Sequence, residues 1–199
     1  MESYPAVAGR IAWRRYAMIF APAIALAAVI VLLSGKGALA ASFAISGAPF
    51  KLSADTLDGT GFVSYTSVDT GADGKHHAVT PSGFATAKLT NLCQSVVSPT
   101  PFGPVTMRLT AGKTEPVQAT NLVADFDQLS GDIQFTGYSN GVDAAEVSGP
   151  ATGEKGGWAQ QAKAIHIDKL RQHSLATTAA TFILTGLNID VSFGTNECY

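Results

Sequence analysis

Every second side chain of Leu187-Asn-Ile-Asp-Val-Ser-Phe193 is apolar, and Val105-Thr-Met-Arg-Leu-Thr-Ala111 repeats the pattern. A period of two is that of a pleated strand, whose successive side chains point to opposite faces. Both segments are therefore read as half-buried strands. Thr106, Arg108 and Thr110, or Asn188, Asp190 and Ser192, are expected to face away from the core. Shorter alternations recur at Phe43 and Ile45, Phe50 and Leu52, Val63 and Tyr65, Ala87 and Leu89, Leu122 to Phe126, Ile133 and Phe135, and Phe182 and Leu184. Asp58-Gly59, Asp73-Gly74, Pro99 to Pro104, Ala111-Gly-Lys, Ser130-Gly-Asp and Tyr138-Ser-Asn-Gly separate them as turns would. The expectation is an all-β domain, an antiparallel β-sandwich or rolled sheet.

Two stretches qualify that expectation. Trp158 to His173 is rich in helix formers, and Ala162, Ile165 and Lys169 fall on one helical face, yet Ile165 and Ile167 alternate. We read a strand over Ala164 to Leu170, preceded by a loop or a short helical turn. Gly149, Gly153, Gly156 and Gly157 mark a flexible loop before it. A loose kernel recurs in Ala87-Lys-Leu, Ala119-Thr-Asn-Leu and Ala164-Ile-His-Ile, but its irregular spacing excludes the stacked rungs of a solenoid.

The N-terminus is of another kind. Arg10, Arg14 and Arg15 precede an uninterrupted apolar run, Tyr16 to Leu33, followed by Ser34-Gly-Lys-Gly-Ala-Leu-Ala-Ala41. Positive charge held inside, an apolar helix and small residues beyond it form the order of an export signal, with cleavage expected after Ala40 or Ala41. The run's 18 residues exceed the usual signal core and reach the lower limit for spanning a bilayer. Residues 1–41 are thus a signal peptide or a retained membrane anchor, and 42–199 one extracytoplasmic β domain. The protein is expected to be secreted or held on the outer face of the cytoplasmic membrane.

The domain from Ser42 onward carries 9 Lys or Arg against 14 Asp or Glu, a net charge of −5. With no basic cluster to neutralise consecutive phosphates, nucleic acid is not expected as a partner. There are 2 cysteines, Cys93 and Cys198. In an oxidising compartment such a pair is expected to form a disulfide, which would close a long loop and pin the C-terminus. Neither cysteine follows the apolar run, so no lipoprotein anchor is expected.

No constellation specifies chemistry. The Gly-x-Ser-x-Gly turn that presents a hydrolase nucleophile is missing. Ser174 beside His173, with Asp168 or Asp190 as orienter, makes a triad only by selecting common residues. His76 and His77, near Asp69 and Asp73, lack the spacing of helical zinc or calcium-loop ligands and suit an exposed turn better. No catalytic residue, cofactor or metal is predicted.

The Arg-rich start, Ala38-Leu-Ala-Ala-Ser-Phe43, Ser53-Ala-Asp-Thr-Leu-Asp-Gly-Thr-Gly-Phe62, Asn91-Leu-Cys-Gln-Ser-Val-Val97, Ala159-Gln-Gln-Ala, Ala176-Thr-Thr-Ala and the terminal Glu-Cys-Tyr together resemble an exported envelope family of actinobacteria such as Streptomyces. That family is of unknown function, although some members carry an automatic cholesterol esterase label. The resemblance implies export and strengthens the pairing of Cys93 with Cys198, but supplies no mechanism. Three functions follow in order: a noncatalytic envelope or surface protein with a structural or binding role, a lipid- or sterol-binding module, and a lipid ester hydrolase. Expected partners are the membrane, through the N-terminal segment, and a lipid ligand or a second copy of the chain.

Overall fold

The computed structural model describes residues 49–70 and 74–199. Phe43 with Ile45, Asp73, the apolar run, and the cleavage positions Ala40 and Ala41 lie outside them. The described residues form ten strands: β1 Phe50–Tyr65, β2 Ser67–Thr70, β3 His76–Thr90, β4 Leu92–Thr100, β5 Gly103–Ala111, β6 Val117–Thr136, β7 Ser139–Asp143, β8 Trp158–Thr178, β9 Thr181–Ile183 and β10 Asn188–Phe193. Every pairing is antiparallel, and the fold is all-β. Among the described residues no helix is long and apolar enough to cross a membrane.

The rolled-sheet expectation is met by closure. β1 pairs with β3, β3 with β6, β6 with β8, and β8 back with β1. Following partners from Phe50 to Ser174, Phe126 and Thr80 returns to β1 near Ser64, at its far end. So large an offset means strands steeply inclined to the barrel axis. Leu57, Phe62, Phe84, Leu89, Ile165 and Ile167 fill the interior, with Phe62 and Phe84 ring centroids 5.4 Å apart.

Long strands wrap in this way because bulges bend them. Lys169 takes positive φ at such a place, where the β6–β8 register shifts between Ser130 and Asp132. Ser130-Gly-Asp is accordingly a continuous part of β6 opposite a bulge of β8, not a turn. Asp58-Gly59 is also mid-strand. A Cβ at Gly59 would lie 2.7 Å from the Phe84 ring, so this glycine serves close packing inside the barrel. Pro99 to Pro104 does form the β4–β5 hairpin, whose closing pair is Thr100 and Gly103.

No helical turn precedes the strand at Ala164, because β8 already begins at Trp158. Its buried positions Ala162, Ile165, Ile167 and Leu170 include steps of three where the strand is interrupted. One interruption is the Lys169 bulge, and the other faces Gly61, whose φ is +60°. These steps imitate helical spacing.

The loop 144–157 is packed, in contrast to the flexible segment read from its glycines. Ala144 and Val147 form a small second core with Val63 and Ala159. A Cβ at Gly149 would stand 2.6 Å from Val63 Cγ1, so glycine allows the loop to lie against β1.

Beyond the closed barrel, β4, β5 and β10 continue as a three-stranded flap. The C-terminal tail latches across its outer face. Cys198 is disulfide-bonded to Cys93, Lys51 bridges to Glu197 at 2.9 Å, and the Tyr199 ring lies 5.3 Å from the Lys51 ammonium and 5.4 Å from the Arg171 guanidinium.

Candidate functional site

Neighbours in a strand face opposite ways, and this separates Ser174 from His173. Ser174 is fully buried and accepts a hydrogen bond from Gln172 Nε2 at 2.5 Å. His173 points outward, with Nδ1 2.6 Å from Asp127. Asp168 approaches His166 at 3.3 Å, and Asp190 lies on β10 opposite Arg108. The four residues form no nucleophile–base–orienter chain. His76 contacts the Thr70 hydroxyl at 3.2 Å, and His77 stands opposite Asp69 in the β2–β3 pairing. Among the described residues no three His, Cys, Asp or Glu side chains converge as metal ligands.

A groove of about 460 Å³ crosses the outer faces of β3, β1, β8 and β6. Lys88, Asp58, His166 and Gln134 occupy one row across the paired strands, with Thr86, Thr60, Ala164 and Thr136 beside them. His166 Nδ1 lies 2.6 Å from Asp58, and the Thr60 and Thr86 hydroxyls lie 2.6 Å apart. The Asp58 hydrogen bond raises the His166 pKa above its ordinary value, and both flanking carboxylates add to the rise. The imidazole is thus committed between the two carboxylates. Sequence reading missed the row because His166 and Asp58 stand 108 positions apart and the aspartate resembles a turn residue.

At the barrel end remote from the flap, Asp125 has a pKa pushed up to about 6, chiefly by burial and then by the charge of Asp69. The Tyr65 phenol is raised by burial, then by Asp125 and Asp69. These groups store charge repulsion and present no reactive pair.

The flap is the unusual surface. Its strands alternate as the sequence implies, and Arg108, Asn188 and Asp190 are exposed, but burial is inverted at Thr106 and Met107. Thr106 is fully buried, because its hydroxyl donates to the Gly194 carbonyl and accepts from the Asn196 amide at 3.1 Å. Met107 beside it is 42% exposed, and Val191 and Phe193 on β10 are 63% and 74% exposed. Thr106 lies on the outer face, which the tail covers. Leu92, Ala111 and Leu109 belong to the opposite face, where the barrel core runs out along the flap to solvent. The half-buried strands expected at 105–111 and 187–193 thus lack a second layer over their apolar side among the described residues.

Neither a curated protein nor a solved structure matches the chain. A model of a family of unknown function, DUF6230, matches residues 46–199, which take in the whole closed barrel, the flap and the latched tail. The chain belongs to this family.

Proposed function

We propose that this is an exported, noncatalytic protein of the cell envelope that acts by binding through an apolar surface. The observation that carries the reading is the flap, which extends the barrel core into solvent as an uncovered apolar sheet face. Soluble monomers seldom expose contiguous apolar surface of this kind unless something binds there. The disulfide suits an oxidising compartment outside the cytoplasm, and the N-terminal run supports delivery there. The likeness to an actinobacterial envelope family supports the same compartment.

The same face favours a lipidic partner as the second reading. The ester hydrolase reading has less support, since enclosed Ser174 has Gln172 as partner and no base within its reach. Intact mass of protein recovered from native envelope and culture medium, before and after reduction, tests the proposal. A nonreduced mass lighter by the hydrogens of one disulfide, found in either fraction, is expected. Recovery from the cytoplasm with both thiols free would sink it.

A further inference from the structure

We infer that the flap is a membrane-contacting surface, with Phe102 at its tip and Phe193 beside it entering the interface of the bilayer to which the chain is delivered. This deepens the binding role proposed above and rests on it. Directly paired residues share a sheet face. Val96 pairs with Met107 and Met107 with Val191, while Val105 pairs with Phe193 and Leu109 with Ile189. These side chains form one uncharged, mainly apolar field across the three strands, in which β4 contributes Val96 between Gln94 and Ser98. The charged flap residues, Arg108 and Asp190, pair with each other on the opposite face. The field thus has no ion to desolvate. Phe102, 88% exposed, projects from the hairpin between β4 and β5.

The direction of the chain selects the occupant. β1 begins at Phe50 and pairs antiparallel with β4 through Lys51 and Ser95, so the first residue of β1 lies on the side from which the flap projects. The apolar run ends at Leu33, and the intervening 16 residues span at most about 55 Å even when fully extended. A retained anchor would therefore keep the domain within that length of the bilayer. After cleavage, the same uncharged field and aromatic tip would have to provide the contact themselves. A second copy paired along β10 is the competing occupant, but it gives no role to the hairpin-tip Phe102.

The test uses the full chain in phosphatidylcholine nanodiscs with Trp13 and Trp158 replaced by Phe, and one tryptophan introduced as F102W or V68W. Val68 is exposed at the barrel end remote from the flap and serves as control. Brominated acyl chains should quench most F102W fluorescence and leave V68W unchanged. Quenching of neither probe, of both equally, or of V68W alone would overturn the inference. So would F102W shielding that depends on protein concentration and is untouched by bromine, which would assign the face to a second copy. Export is tested by fractionation and mass, so either idea can fail without the other.

Discussion

Cys198 is bonded through its sulfur to Cys93, 105 positions earlier, and its amide donates to the hydroxyl of Ser95 on the same face of β4. This places the end of the chain across the outer side of the flap, where it shields Ser95 and Thr106. Replacing both cysteines by alanine should lower unfolding stability by about 2–5 kcal/mol, as loss of native disulfides in small exported domains does. Urea denaturation followed by circular dichroism measures the loss. An unchanged midpoint would show that the tail contributes nothing to folding stability.

Gly149→Ala should destabilise by about 1–3 kcal/mol, because its methyl carbon would need the space of Val63 Cγ1 and the surrounding core is closed. Combining it with Val63→Ala should cost less than the two changes added together. A double-mutant cycle on urea midpoints decides, and strict additivity would mean the two residues are not in contact.

The folded Asp125 carboxyl titrates at about 6 against an ordinary 3.8. Between those values the folded chain holds a proton that the unfolded chain has released, so this group's contribution to stability falls as pH rises through the window. Asp125→Asn should remove that component and make the protein more stable than wild type at neutral pH. Unfolding curves from pH 4 to 7 read both effects.

The His166 pKa is also raised, but by favourable partners, first Asp58, so this group adds stability where it is protonated. Its contribution is complete below the ordinary value of 6.5 and disappears as pH rises through the folded value. Asp58→Asn should move the imidazole titration, followed by NMR, to lower pH, and Asp168→Asn should move it less. Equal shifts would contradict the dominance of the Asp58 hydrogen bond.

Two isoleucines separate barrel from flap. Ile167 is enclosed within the barrel, and truncating it to alanine should cost about 2–5 kcal/mol. Ile189 is exposed on β10, and the same truncation should stay within about 0.5 kcal/mol in lipid-free solution. A comparable loss at both would mean that the flap face is covered in the free protein.

Strand identity was legible because alternation is local: Val105 to Ala111 and Ile189 to Phe193 pleat whatever lies above them, and the Pro99 to Pro104 turn needs only its own backbone. The strand through Ala164 was legible for the same reason, while the bulge at Lys169 gave its buried residues a helical step. Burial was not local. Whether Met107 faces a core depends on where the barrel closes, and Thr106 is buried only because the chain end returns over it. Gly59 reads as a turn until Phe84 and Ile165 are packed against it. His166 and Asp58 acquire their relation from the β1–β8 register alone. The sequence by itself determined the alternating segments at the heart of the strands and supplied the cysteine pair. Tertiary structure decided closure, the uncovered flap and the outward histidine network, because each depends on contacts between residues far apart in the chain.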